Sequence, residues 1–257
     1  MKNLSFIGCG HLAKCLIQGL SNKTEYEISG FDIFQGSLDW LESKGHKSLS
    51  LEDCCKQSDV IFLCVKPQDI PTLCGDLKEH LREGQEVISV AAGVKLEKLK
   101  ELLPGARITR VMTNVGTRDN LGVTAIFSQV INDEIISLFN FLGKAFTVEN
   151  EDQIDLHTVL IGSGPAFFYD LLSEFEEKMQ DIVNDKDMKR EVTILFLTSI
   201  ISAIKNGENL DSLVDSVASK GGTTEAGLKF LREKNFNLIF SEAVDRGVER
   251  AKELSMD

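Results

Sequence analysis

Leu4-Ser5-Phe6-Ile7-Gly8-Cys9-Gly10-His11-Leu12-Ala13 decides how this chain folds. A short apolar run suits a buried strand, and the glycines that follow break it at once. Gly8-Cys9-Gly10-His11-Leu12-Ala13 then fits G-x-G-x-x-[GA], directly between that strand and an amphipathic run over 12–20. Gly8 allows the tight turn, Gly10 lets the backbone approach a pyrophosphate, and Ala13 lets helix and strand pack closely. A second apolar run, 26–31, ends at Asp32, nineteen residues past Ala13, where an acid would bind a ribose diol. The plainer alternative is a glycine-rich turn in an unrelated α/β domain. Strand, loop, helix and acid in this order favour a dinucleotide site.

Asp32 also bears on which dinucleotide. Its carboxylate accepts hydrogen bonds from the 2′- and 3′-hydroxyls and repels a 2′-phosphate, and Ile33, Phe34 and Gln35 bring no cation to offset that. NADH is therefore expected over NADPH. The competing reading is that Asp32 only caps the segment after it.

With 4–7 and 26–31, residues 60–65, 86–90 and 107–112 read as strands, the middle ones nearly continuous in apolar character, as in a parallel sheet buried on both faces. Helical runs at 37–44, 51–57 and 69–81 alternate with them, Ser50 and Asp53 resembling a capping box. Such alternation predicts a βαβ architecture. A strand pair, 123–127 and 145–148, flanks a helix over 133–142 that ends at Gly143. Val65-Lys66-Pro67, the small residues Ala91-Ala92-Gly93 and, after 107–112, Thr113-Asn114 close these strands where open α/β sheets bind ligands. A solvated loop charge serves equally well for Lys66.

The texture changes near residue 150. Helical runs follow one another over 152–160, 166–183, 189–206, 210–218, 224–233 and 237–254, and Gly162-Ser163-Gly164-Pro165 reads as a tight connection between the first two. Apolar residues surround the helix at 192–204 on nearly all sides, and a helix without a polar face must be buried all round. In a domain of about 107 residues this points to a second subunit.

Ser219-Lys220-Gly221-Gly222-Thr223-Thr224 precedes one of these helices. Two glycines free the backbone, two threonines add hydroxyls, and a helix N-terminus supplies amide donors, so the loop suits a phosphate or carboxylate. An ordinary turn with a threonine cap is the bland reading.

Composition sets the outer bounds. The 257 residues are 42% hydrophobic and 26% charged, ordinary for a globular protein. A net charge of −12 argues against nucleic acid or an anionic membrane as the main partner. Six cysteines without a C-x-x-C, and four scattered histidines, give no metal-ligand spacing; reduced thiols in a cytoplasmic protein are expected. The longest apolar run is too short for a bilayer.

Taken in order, Phe6-Ile7-Gly8-Cys9-Gly10, Val65-Lys66-Pro67-Gln68-Asp69, Ala91-Ala92-Gly93, Arg110-Val111-Met112-Thr113-Asn114, Gly162-Ser163-Gly164-Pro165-Ala166 and Gly221-Gly222-Thr223-Thr224 resemble the motifs of the pyrroline-5-carboxylate reductases, enzymes of the last step of proline synthesis. The resemblance covers nearly the whole chain. It implies an α/β Rossmann-type NAD(P)-binding domain over 1–150, then an all-α dimerisation and substrate-binding domain over 151–257, in a homodimer or larger homo-oligomer. By the same resemblance Gly8, Gly10, His11 and Leu12 hold the cofactor phosphates, and Val65, Lys66, Pro67, Ala91, Ala92 and Asn114 line the nicotinamide side. Ser219, Gly221, Gly222 and Thr223 hold a substrate carboxylate, and the Thr224 hydroxyl lies by the ring nitrogen as the catalytic group. The implied reaction is reduction of 1-pyrroline-5-carboxylate to L-proline by NADH or NADPH.

The chain departs from the family's usual pattern at Val115-Gly116, at Lys220 and at Ile161. Two rivals follow. A hydroxyacid dehydrogenase of the 6-phosphogluconate type needs a lysine soon after a glycine-rich turn, and residues 165–172 contain none. A dinucleotide-binding sensor or scaffold that no longer catalyses, or a reductase of a related cyclic imine, is the alternative that the departures favour.

Overall fold

The computed structural model describes residues 1–207 and 209–253. Eight strands, β1 (Lys2–Ile7), β2 (Tyr26–Phe31), β3 (Lys47–Ser48), β4 (Val60–Leu63), β5 (Glu86–Ser89), β6 (Arg107–Met112), β7 (Gly122–Phe127) and β8 (Gly143–Thr147), form one sheet. Its order is β3-β2-β1-β4-β5-β6-β7-β8. All pairings are parallel except β6 with β7. Helices α1 (His11–Leu20), α2 (Gln35–Ser43), α3 (Leu51–Gln57), α4 (Ile70–Leu77), α5 (Leu96–Leu102) and α6 (Asp133–Phe141) connect successive strands.

The near-continuous apolar strands are explained by burial on two faces. Leu4, Phe6, Phe62 and Ile88 pack with Leu16, Ile17 and Phe139 on one side of the sheet. Their neighbours Ile7, Ile61, Leu63 and Val87 pack with Leu73, Leu77 and Leu99 on the other. Phe6 and Phe62, adjacent across β1 and β4, stack with ring centroids 4.4 Å apart. Since β1 pairs with both β2 and β4, the strand order reverses there, and a crevice opens at the carboxyl ends of β1 and β4.

Local signals hold where they are strong. Ser50 caps α3, its Oγ accepting from Asp53 N at 3.1 Å. Gly45 and Gly143, at φ of +82° and +145°, end helical segments in conformations other residues rarely adopt. Two short elements, β3 and α5, carry no strong sequence signal. Strands β4 and β5 stop at Leu63 and Ser89, leaving Val65 and Val90 to the loops. A 3₁₀ turn over Val115–Asp119 and Asn120 at φ +58° turn the chain back, which makes β7 antiparallel to β6.

Helix α7 (Asp152–His157) is followed by a π-helical stretch, Thr158–Ser163, and then by α8 (Gly164–Met179). Gly162-Ser163-Gly164-Pro165 therefore does not break the helix; the wider π turn absorbs it, and Pro165 follows that turn within one continuous helical run. The remaining helices are α9 (Lys186–Lys205), α10 (Leu210–Val217), α11 (Thr223–Glu233) and α12 (Phe236–Glu253). Leu254, the expected end of the last helix, lies outside the described residues.

Contacts divide the chain into one compact unit of Met1–Ser163 with Arg246–Asp257 and a second of Gly164–Asp245. The first includes α7, which meets the sheet through Ile154, packed with Met112 and Ala125, and through Asp155 beside Arg110. In the second, α9 buries only Thr193, while Ile194 and Leu195 are 55% and 61% exposed in the single chain. No helix among the described residues is long and apolar enough to cross a membrane.

Candidate functional site

The glycine-rich loop lies at the strand-order reversal. Gly8 has φ +88°, and a Cβ there would come within 2.9 Å of the Cys64 main chain and of Val65 Cγ1. Both constraints demand glycine, and they show that the β1 and β4 loops touch. Gly10 is the N-cap of α1 without a side-chain cap, no acid occupies the first turn, and a Cβ on Gly10 would meet nothing within 4 Å. Among the described residues the amides at His11, Leu12 and Ala13 have no main-chain acceptor, and they lie at the positive end of the helix dipole. That donor set and that room fit a pyrophosphate.

Asp32, half-buried after β2, bonds through both oxygens. Oδ2 accepts from Cys9 N at 2.6 Å and Oδ1 from Phe34 N at 2.8 Å. Of the two roles its position suggested, it takes the capping one, and it also braces the glycine-rich loop. Each carboxylate oxygen keeps a lone pair, so a ribose diol still fits. The Cys9 thiol is pushed up to about 12 by burial and, next, by Asp32, which makes it a packing group rather than a nucleophile.

Val65, Lys66 and Pro67 follow β4, Ala91 and Ala92 follow β5, and Asn114 follows β6, so the carboxyl ends of adjacent strands bring them to the same edge as Gly8. Lys66 is exposed and precedes the 3₁₀ turn Pro67–Asp69. Ala91 is buried and Ala92 half-buried, a small-residue floor at the edge. Asn114 Oδ1 accepts from Val123 N at 3.3 Å, which orients the amide. Gly116 is explained by packing: a Cβ would lie 2.7 Å from the Leu121 carbonyl oxygen, and Leu121 N closes the turn on Gly116 O at 2.9 Å.

Beneath this edge lies a charged cluster that sequence reasoning missed. Arg110, 1% exposed on β6, bonds Glu151 Oε1 at 2.6 Å through Nη1, and its Nη2 lies 3.6 Å from Asp155 Oδ1. Asp155, fully buried on α7, also receives Lys95 Nζ at 3.1 Å, and Glu151 Oε1 accepts from Leu96 N at 2.5 Å. The start of α5, just after Ala91-Ala92-Gly93, is thereby fixed to β6 and α7. Burial works against the Lys95 charge, but hydrogen bonds to Asp155 and Asp152 together with the Asp155 and Glu151 charges hold its ammonium above the ordinary range. His157, on the same helix, bonds the Val123 carbonyl through Nε2 at 3.1 Å; burial lowers its pKa.

In the second unit Ser219, Lys220, Gly221, Gly222 and Thr223-Thr224 form the turn between α10 and the first residues of α11. Gly221 has φ +73°, Gly222 is the N-cap without a side-chain cap, and Gly222 N bonds Ser219 O at 3.0 Å. Among the described residues the amides of Thr223 and Thr224 have no main-chain acceptor, so two donors are left open at the start of α11. An open groove of about 960 Å³, lined by Gly221, Gly222, Glu225, Val214, Ala218 and Lys229, adjoins the turn. Glu225, unremarked in sequence, accepts from Gly221 N; its only sequence signal is an acid four residues past a glycine.

A family model described as pyrroline-5-carboxylate reductase dimerisation matches residues 151–254. A second, described as NADP oxidoreductase, coenzyme F420-dependent, matches residues 3–93. The curated pyrroline-5-carboxylate reductase of Pasteurella multocida is 32% identical over 273 residues, covering 98% of each protein. The solved structure of a pyrroline-5-carboxylate reductase from Coxiella burnetii has a TM-score of 0.84 at 30% identity, covering 99% of this chain and 98% of that one. The Plasmodium falciparum pyrroline carboxylate reductase, solved with NADP bound, shares the fold at a TM-score of 0.88 and 21% identity, with 99% and 98% coverage.

Proposed function

The chain belongs to the pyrroline-5-carboxylate reductase family, and from that membership we propose that it reduces 1-pyrroline-5-carboxylate to L-proline with NAD(P)H, the last step of proline biosynthesis. The observation that carries the reading is similarity at or above 30% across both the dinucleotide-binding and the helical parts of the chain.

The substrate is a cyclic imine with a carboxylate, and its protonated C=N bond accepts a hydride. The bound dinucleotide supplies that hydride. Gly8, Gly10, His11 and Leu12 hold its phosphates through the open loop amides, Asp32 its ribose, and Val65, Lys66, Pro67, Ala91, Ala92 and Asn114 flank the ring. The free amides of Thr223 and Thr224, with Ser219, Gly221 and Gly222 shaping the turn, take the carboxylate. The Thr224 hydroxyl aligns the ring nitrogen, and solvent supplies its proton. Orientation then does most of the work, because the imine needs only to be held over the hydride donor.

NADH is the favoured cofactor. The Asp32 charge repels a 2′-phosphate, and Ile33, Phe34 and Gln35 carry no cation to counter it. We place the functional boundary near residue 150, supported by a dimerisation match that begins at residue 151. The helical part makes the homodimer, and larger rings of dimers are compatible with it. Six free thiols suit a reducing, cytoplasmic setting.

The test is direct. Purified protein with 1-pyrroline-5-carboxylate is expected to consume NADH, with kcat/KM higher for NADH than for NADPH. No turnover with either nucleotide overturns the activity; faster turnover with NADPH overturns only the preference.

A further inference from the structure

We propose that Glu225 is a positioning residue for substrate binding: its carboxylate holds the Gly221 amide, and so keeps the Thr223 and Thr224 amides open for the substrate carboxylate. This rests on the reading of the 219–224 turn as the carboxylate site.

The turn is hard to order. Gly221 and Gly222 have the widest conformational freedom of any residues, and Gly221 must be held at φ +73°. The usual restraint, a side-chain cap at the start of the helix, is missing because the N-cap of α11 is Gly222. Two hydrogen bonds replace it. Gly222 N donates to Ser219 O at 3.0 Å, and Gly221 N donates to Glu225 Oε2 at 2.6 Å.

The placement of Glu225 is what matters. It is the third residue of α11, the position from which a glutamate ordinarily reaches back to the N-cap amide. Here the N-cap amide is already used by Ser219 O, and Glu225 reaches one residue further, to Gly221. Two loop amides are thus satisfied internally, while those of Thr223 and Thr224 remain without main-chain acceptors among the described residues. The hook fixes the turn without filling the cradle.

A carboxylate beside an anion site also repels the anion, so the two effects of Glu225 on substrate affinity oppose each other. Substitution separates them. In Glu225→Gln the amide oxygen still accepts from Gly221 N while the charge is gone; in Glu225→Ala both are lost.

The experiment compares wild type, Glu225→Gln and Glu225→Ala by steady-state kinetics and by hydrogen exchange of the peptide spanning 219–224. Glu225→Ala is expected to raise KM for the imine about fivefold, the size of a lost helix cap. KM for NADH should stay unchanged, and exchange of the Gly221 amide should accelerate. Glu225→Gln should keep wild-type protection and a KM equal to or below that of wild type. A fall in KM for both variants, or unchanged KM and exchange in Glu225→Ala, overturns the proposal. If wild type itself does not reduce the imine, the proposed activity fails instead, and the exchange measurement still decides whether Glu225 orders the turn.

Discussion

At the residue scale, the dinucleotide loop and the 219–224 turn obey different rules. Gly8 is fixed by two independent constraints, its positive φ and the lack of room for a Cβ against Cys64 and Val65, the second of which follows from the approach of β1 and β4. Thr224 lies in the first turn of α11, and its hydroxyl makes no side-chain cap there. Removing that hydroxyl should therefore cost activity and not stability. Thr224→Ala is expected to lower kcat/KM for the imine about tenfold or more, the loss of a hydrogen bond to a charged group. Thr224→Ser, which keeps the oxygen, should recover most of it. An unchanged kcat/KM in Thr224→Ala removes the residue from the mechanism.

At the scale of elements, α7 is the piece whose role was hidden. It reads as the first helix of the helical half, and the dimerisation match includes it, yet its buried acid Asp155 ties it to Arg110 on β6 and to Lys95 at the start of α5. Arg110 and Asp155 are out of water, so neither charge is stable without its partners. Asp155→Ala leaves Arg110 with Glu151 alone and Lys95 with an exposed partner. The variant is expected to lose about 3 kcal/mol of stability, read from urea denaturation at fixed protein concentration. A loss below ~1 kcal/mol would show the cluster to be replaceable by water. Because the cluster sits next to Ala91-Ala92-Gly93, its loosening should also raise KM for the nucleotide.

For the whole molecule, α9 sets the terms. Large apolar side chains, among them Ile194, Leu195 and Ile201, are half or more exposed in the single chain, far beyond what a stable monomer leaves in water. The dimerisation match over 151–254 supplies the reason. Sedimentation of the wild-type protein should give at least twice the 28.5 kDa chain mass. The double substitution Leu195→Glu with Ile201→Glu, which places charges on that surface, should shift it to the single-chain mass. A wild-type protein that sediments as one chain would overturn this account of α9.

The sequence by itself determined the alternation of strands and helices, the dinucleotide loop with Asp32, the helical second half and the loop at 219–224. Each is written in local chemistry: an apolar period, a glycine where the backbone must bend, an acid at the end of a strand. Short elements escaped because two residues in β3 and seven in α5 carry too little pattern, although Leu96, Leu99 and Leu103 do share a helical face. Only the tertiary structure decided that β7 runs antiparallel, that Gly162 lies in a π turn, and that Arg110, Asp155, Lys95 and Glu151 meet. It likewise assigned two jobs to Asp32 and joined Glu225 to Gly221. The reason is range. A backbone preference acts over a turn or two of chain, whereas the partner of a buried charge is set by whichever distant segment the fold delivers, and 41 residues separate Arg110 from Glu151.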